Sequence, residues 1–135
     1  MTSKPSVLLV EDSATNRKLI GGMLEAYGCA VTLASSGPAA IEALTAHIGH
    51  GFDIVLMDIE MPDLNGDAAS RLIRAYEAAH PDVRRVPIVA LTANTGPDHV
   101  ARYRATGMDA HVAKPIDWPT LFATIGALTN KSDRP

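Results

Sequence analysis

The sequence predicts an α/β fold in which one sheet of five parallel strands carries helices on both faces. Short runs of β-branched and aliphatic residues alternate with longer amphipathic stretches, which is the pattern of repeated strand–helix units. Right-handed helical crossovers between such strands give a three-layer sandwich. With 135 residues, 47% of them hydrophobic, the chain has the size and composition of a single domain with one ordinary core.

Five short apolar runs are the predicted strands. Each lies next to polar residues, glycine or proline, which favour turns at its ends. Their predicted bounds are Val7–Val10, Ala30–Ala34, Ile54–Met57, Ile88–Leu91 and Ala110–Ala113. The intervals between them are long enough for helical crossovers.

The first two helices are predicted from their caps and from apolar spacing. The first follows Asp12 and Ser13, either of which suits the N-cap, and ends at Gly28. Its apolar residues at helical spacing are Leu19, Ile20, Met23, Leu24 and Tyr27. The second begins with Ser36 as cap and an early Pro38. Its apolar face consists of Ile41, Leu44 and Ile48.

Three further helices follow the same pattern. The third is predicted roughly from Asp67 to Ala79, and the fourth roughly from Pro97 to Thr106, where Gly107 ends it. The fifth begins after Asp117. Its buried stripe consists of Leu121, Phe122, Ile125 and Leu128.

Composition and charge exclude several classes of function. A net charge of −3 provides no broad basic surface, so direct nucleic-acid binding is not expected. No apolar run approaches the roughly 20 residues that span a bilayer, so membrane insertion is not expected. The single cysteine, Cys29, cannot form an internal disulfide, and it makes a structural zinc site implausible. These features predict a cytoplasmic protein.

Chemically active residues follow the predicted strands at their carboxyl ends, where open α/β sheets bind ligands. They are Glu11, Asp12, Asp58, Thr92 and Lys114. Three carboxylates in one partly buried place repel one another and require a cation. Oxygen ligands with open positions favour Mg²⁺, and Lys114 and Thr92 suit the oxygens of a phosphoryl group. An Asp carboxylate beside Mg²⁺ can attack such a group and become an aspartyl phosphate.

Each of these residues also has an ordinary structural explanation. Asp12 suits a helix cap, and Asp58 suits a turn at the end of a strand. Taken singly, Thr92 is a common strand residue and Lys114 a solvated strand end. Their positions relative to one another favour the functional interpretation.

Four motifs resemble the receiver domain of two-component response regulators, in the order and spacing of that family. They are Val7–Ser13, Leu56–Pro62, Ala90–Asn94 and Lys114–Pro115. The resemblance covers about residues 6–129 and identifies residues 1–135 as a single receiver domain. It implies a flavodoxin-like, doubly wound (βα)5 sandwich with strand order 2-1-3-4-5. It also implies a cis peptide bond between Lys114 and Pro115.

The resemblance further implies the roles of the site residues. Asp58 would be the phosphoacceptor, and Thr92 and Lys114 would bind the phosphoryl group. Mg²⁺ would be held by Asp12, Asp58 and the main-chain carbonyl of Glu60, with Glu11 in the outer shell. Apart from the resemblance, Glu60 and Asn94 stand two residues beyond Asp58 and Thr92, so they should overhang the site and could bear on the lifetime of the phosphoryl group. The domain would catalyse only its own phosphorylation and dephosphorylation, so it would not be an enzyme for other substrates.

Finer motifs are similar to receivers of hybrid histidine kinases and phosphorelays. They are Thr15–Arg17, Glu60–Gly66, Leu91–Asn94 and Gly107–Ala110. The implied donor is phosphohistidine on a histidine kinase or a histidine phosphotransfer domain. Phosphorylation would change the surface around the fourth and fifth helices, which an unknown downstream protein would bind. Output, phosphate-sink and relay roles all remain open, as does the choice between a stand-alone regulator and a piece of a longer kinase.

One residue departs from the family pattern. His111 stands where most receivers have a tyrosine or phenylalanine that couples phosphorylation to surface shape. One hypothesis is that coupling between Thr92 and His111 is weaker or pH-sensitive, since histidine titrates around pH 6.5. The alternative is that His111 is a tolerated half-buried strand residue without a switching role.

Two functions of other classes are alternatives to a phosphoacceptor. A phosphorylation-independent interaction module would keep the fold without the switch, and the complete set of site residues argues against it. A Mg²⁺-dependent phosphohydrolase would need a cap and a second Asp shortly after the nucleophile. Asp63 lies five positions on, beyond Pro62, and the chain leaves little room for a cap.

Overall fold

A computed structural model describes residues 4–46, 51–61 and 65–129. All strand pairings among these residues are parallel, and the sheet order is β2-β1-β3-β4-β5. The strands are β1 (Ser6–Val10), β2 (Ala30–Ala34), β3 (Ile54–Asp58), β4 (Ile88–Thr92) and β5 (Ala110–Ala113). The helices are α1 (Ala14–Ala26), α2 (Gly37–Ala46), α3 (Gly66–Ala79), α4 (Pro97–Ala105) and α5 (Trp118–Thr129). The predicted fold class and strand order are confirmed.

Alternate residues of the central strands supply the cores on the two faces of the sheet. Leu8 and Val10 of β1 pack with α2, α3 and α4, whereas Val7 and Leu9 pack with α1 and α5. The same alternation holds in β3 and β4, which are buried along their whole length. Strands buried on both faces read as continuous apolar runs, which explains why these runs were recognisable in the sequence.

The helix ends follow local chemistry. Ser13, not Asp12, is the N-cap of α1, and its side chain accepts a bond from the Asn16 amide. Gly28 and Gly107 have φ values of +105° and +98°, a conformation that side chains disfavour, and they follow the ends of α1 and α4 as predicted. The Lys114–Pro115 peptide bond is cis, also as predicted.

The predicted apolar stripe of α1 is broader than the buried one. Ile20 and Leu24 are buried, but Leu19 is 58% exposed because a helix turns about 100° per residue and Leu19 points away from the sheet. Tyr27 lies beyond the helix and stacks on Phe122 of α5, with ring centroids 3.8 Å apart.

Ile48, assigned above to the second helix, lies outside the described residues. No helix in the described ranges is both long and apolar enough to cross a membrane.

The observed bounds differ from the predicted ones by one residue at several ends; β1 begins at Ser6 and α4 ends at Ala105. β3 and β4 include Asp58 and Thr92, because main-chain pairing continues one residue beyond each apolar run. α3 begins at Gly66 after the cap Asn65. The φ of Gly66 is not positive, so the glycine is not required there by backbone conformation. A Cβ there would lie 2.7 Å from Ile59 Cδ1 and 2.8 Å from the Asp58 carbonyl, so close packing requires the glycine.

Candidate functional site

The carboxyl ends of four strands bring the predicted residues to one edge of the sheet. Asp58 and Thr92 end β3 and β4, and Glu11 and Lys114 directly follow β1 and β5. Main-chain pairing continues into this edge. The Glu11 amide donates to the Ala34 carbonyl at 3.0 Å, and the Lys114 amide donates to the Thr92 carbonyl at 2.9 Å. The site residues that follow strands are therefore held by the sheet itself.

Three carboxylates form the acidic part of the site. Glu11, Asp12 and Asp58 each offer an oxygen, and these oxygens all lie within 4.8 Å of one another. Glu11 and Asp58 are buried, with 1% exposure each, whereas Asp12 is exposed. Asp58 Oδ1 accepts bonds from the Lys114 ammonium at 2.7 Å and from the Glu60 main-chain N–H at 3.2 Å.

The electrostatics follow from this burial. Burial, together with the nearby negative charge of Asp58, raises the pKa of Glu11 to about 7. The hydrogen bond that Glu11 accepts from the Ser13 main-chain amide acts in the opposite direction. Burial alone would lower the pKa of the Lys114 ammonium. Its bond to Asp58 and the surrounding carboxylates outweigh that effect and raise this pKa overall.

The arrangement fits a divalent metal ion. Glu11 Oε1 is buried without a hydrogen-bond partner among the described residues, although Lys114 Nζ lies 3.9 Å away. A buried, unsatisfied carboxylate oxygen is costly unless a cation or a proton compensates it. Carboxylate oxygens are the ligands that Mg²⁺ prefers. The part assigned to the Glu60 carbonyl stays a prediction.

The hydrogen-bond partners of the Thr92 hydroxyl are groups other than Asp58. Thr92 Oγ1 donates to Glu60 Oε2 at 3.0 Å and accepts a bond from the Asn94 amide at 2.9 Å. Glu60 Oε1 in turn accepts a bond from the Ala93 amide at 3.3 Å. Glu60 and Asn94 thus contact Thr92 at the edge of the site.

His111 is exposed in the structure, and the aromatic partner of Thr92 is another residue. Tyr103 of α4 is 2% exposed, and its hydroxyl lies 2.8 Å from Thr92 Oγ1. Sequence reasoning missed Tyr103 because an aromatic residue in a short amphipathic helix indicates only a core anchor. Whether His111 has a switching role stays a prediction.

Arg17 also supports the site in a way that the sequence did not reveal. Its guanidinium donates to the main-chain carbonyls of Glu11 and Asp12 at 3.0 and 3.2 Å. These bonds fix the backbone between β1 and α1, and thereby the positions of two carboxylates. The arginine lies one helical turn after Ser13, but nothing in this spacing distinguishes it from a solvated surface residue.

Comparison with known proteins places this chain in a family. Residues 7–126 of the chain match the protein family described as "Response regulator receiver domain". Histidine kinase 5 of Arabidopsis thaliana is 36% identical over 85% of the chain, which corresponds to 14% of the kinase. Across eight curated relatives, most of them histidine kinases, the chain spans only 5% to 16% of their length.

Solved structures agree with this relationship. The receiver domain of sensor histidine kinase PA1611 from Pseudomonas aeruginosa, with a magnesium ion coordinated in its active-site cleft, has a TM-score of 0.77 and 34% identity, covering 96% of this chain and all of that one. The co-crystal structure of the Saccharomyces cerevisiae phosphotransfer protein Ypd1 and the receiver domain of Ssk1 has a TM-score of 0.82 and 27% identity, covering 96% of this chain and 91% of the matched chain. The protein belongs to the response regulator receiver domain family, and its relatives are hybrid histidine kinases and phosphorelay proteins.

Proposed function

We propose that this domain accepts a phosphoryl group from phosphohistidine onto Asp58 in a two-component system or phosphorelay. The donor is a histidine kinase or a histidine phosphotransfer domain. The observation that carries the proposal is the 2.7 Å ion pair between Lys114 and Asp58 inside a cluster of three carboxylates. That relatives are histidine kinases, and that a similar receiver forms a complex with a phosphotransfer protein, supports this choice of donor.

Asp58 is the nucleophile in this proposal. One of its carboxylate oxygens forms a bond to phosphorus while the bond between phosphorus and the imidazole nitrogen of the donor breaks. The electron pair returns to that imidazole, which takes up a proton. The buried sheet edge holds Asp58 in place before the reaction, so little orientational entropy is lost when the donor docks.

Lys114 and Thr92 bind the transferred group. The Lys114 ammonium, now paired with Asp58, neutralises part of the negative charge on the phosphoryl oxygens. The Thr92 hydroxyl donates to one of those oxygens once it leaves Glu60. This movement changes the surface around α4 and α5 and thereby the affinity for a downstream protein.

Mg²⁺ is the proposed cofactor. Asp12, Asp58 and the main-chain carbonyl of Glu60 would hold it, and Glu11 would act from the outer shell. When bound, the ion supplies positive charge that stabilises the transferring phosphoryl group. Two observations support this assignment: the three clustered carboxylates of this chain, and the magnesium ion in the active-site cleft of the similar PA1611 receiver. Hydrolysis of the aspartyl phosphate, or transfer to another histidine, resets the domain.

The first test is the intact mass of the protein after incubation with acetyl phosphate, with and without Mg²⁺. We expect a Mg²⁺-dependent gain of one phosphoryl group that Asp58→Asn abolishes, because an amide is a poor nucleophile. Asp98→Asn, which changes an exposed carboxylate of α4, is the matched control and keeps the gain. A phosphorylated donor domain is then offered in place of acetyl phosphate. Folded, Mg²⁺-binding protein that gains no phosphoryl group from either donor would favour the interaction module instead.

A further inference from the structure

The hydroxyl groups of Thr92 and Tyr103 form a small network next to the phosphoacceptor. Three short oxygen–oxygen contacts define it. Thr92 Oγ1 lies 3.0 Å from Glu60 Oε2 and 2.8 Å from the Tyr103 hydroxyl, which itself lies 2.9 Å from the Asn94 carbonyl oxygen. The network joins the end of β4 to α4.

The network has fewer protons than contacts. Carboxylate and carbonyl oxygens only accept, so the two hydroxyl protons of Thr92 and Tyr103 must serve all three contacts. The ionised Glu60 carboxylate is the strongest acceptor and favours the Thr92 proton. Tyr103 then divides its proton between Thr92 Oγ1 and the Asn94 carbonyl. The hydrogen bonding of Tyr103 therefore depends on where Thr92 donates.

Tyr103 is fixed within α4, so a change at its hydroxyl acts on the helix. The residue is 2% exposed and belongs to the core between the sheet and α2, α3 and α4. It lines a shallow cleft between α4 and β5, together with His111 and Met108. The neighbouring Arg102 ties α4 to the start of α3 through a 2.8 Å bond to Asp67.

We propose that Tyr103 is the positioning residue through which the state of Thr92 reaches α4. This inference rests on the proposed function, in which a phosphoryl oxygen on Asp58 takes the Thr92 proton from Glu60. Thr92 then moves towards Asp58. The Tyr103 hydroxyl follows it or donates fully to the Asn94 carbonyl, and either change alters the position of α4. An aromatic residue of α4 itself thus performs the coupling.

The test compares the wild type with Tyr103→Phe, which keeps the ring and removes only the hydroxyl. Both proteins are titrated with Mg²⁺ and beryllium trifluoride, a phosphoryl analogue, and followed by amide NMR. We expect amides near Asp58 to respond in both proteins. In the variant, the population of the switched α4 conformation should change about fivefold, the effect of one hydrogen bond. Tyr76→Phe, a half-buried tyrosine of α3, is the matched control and keeps the wild-type response.

A second measurement needs no change at position 103. The chain has three tyrosines, so ring-labelled wild-type protein gives three resolvable ring signals. We expect the Tyr103 signal to shift with the same midpoint as the Thr92 amide, while the signal of Tyr76 in α3 stays unchanged. An unmoved Tyr103 ring, or an α4 response in Tyr103→Phe equal to that of the wild type, overturns the inference. No response near Asp58 in the wild type would instead count against the proposed function.

Discussion

Among individual residues, Lys114 supplies the positive charge of the site. It is the only ammonium group paired with Asp58 among the described residues, and it faces three carboxylates. Fully ionised, the cluster therefore keeps two uncompensated negative charges at the buried edge of the sheet. A divalent ion carries the charge that neutralises them, which explains why the cluster suits a metal ion.

The exposure of His111 leads to a prediction about pH. If this side chain has no switching role, the response of α4 to beryllium trifluoride should be the same in the wild type, His111→Ala and His111→Tyr. Any change in this response between about pH 6 and pH 8, where histidine and Glu11 both titrate, should also be the same in the three proteins, because Glu11 is common to them. Amide NMR at several pH values measures this. A response that changes with pH in the wild type and becomes constant in His111→Ala would restore the coupling hypothesis.

Among the elements, the connection from β3 to α3 holds the backbone at Asp58 in position. The Gly66 amide donates to the Ile59 carbonyl at 3.2 Å, and Asn65 caps α3 through its side chain. The first turn of α3 therefore lies directly against the end of β3, with no space for a side chain at position 66.

Replacing Gly66 with alanine should expose this constraint. The added Cβ would meet the Asp58 carbonyl oxygen at 2.8 Å, and that main-chain atom cannot move without shifting the strand end. We expect a loss of about 1–3 kcal/mol in the free energy of unfolding, measured by urea denaturation. Gly22→Ala is the control, since nothing lies within 4 Å of that position in α1. This second change should stabilise by about 0.5–1 kcal/mol, and equal effects of the two changes would contradict the argument.

At the scale of the whole molecule, folding itself creates the charge cluster. The register of β1, β3 and β4 brings Glu11 next to Asp58, residues that are far apart in the unfolded chain. The pKa of Glu11 thereby rises from 4.5 to about 7. The folded protein thus binds more protons than the unfolded chain between these two pH values, so the free energy of unfolding falls as the pH rises through this window.

Thermal unfolding in a chelator should reveal this dependence. We expect metal-free wild type to lose stability between about pH 4.5 and pH 7 relative to Glu11→Gln, whose side chain does not titrate. Added Mg²⁺ should stabilise the wild type more at pH 8 than at pH 5, because binding requires ionised carboxylates. Glu42→Gln, at an exposed position, is the control and should follow the wild type. Parallel curves for the wild type and Glu11→Gln would contradict the assignment.

The sequence predicted the parts of this structure that depend on local patterns. Buried strands such as β3 and β4 are short apolar runs, and Gly28 and Gly107 mark helix ends by their backbone freedom. The cluster of Glu11 and Asp58 was predictable because parallel strands end at one edge. Tyr103 was not, since its role depends on how α4 crosses the sheet. The exposure of Leu19 was missed for a similar reason: spacing does not define how wide the buried face of a helix is.

The start of β1 and the end of α5 both lie away from the site. β1 begins at the edge opposite the site, and α5 starts near the site and runs back along the sheet, so the described chain enters and leaves on the far side. Flanking segments that continue from these two points therefore start away from the cluster of Glu11, Asp58 and Lys114. This geometry makes the domain suitable for insertion into long proteins, and it recommends terminal fusions over internal tags when the domain is labelled or tethered in the laboratory.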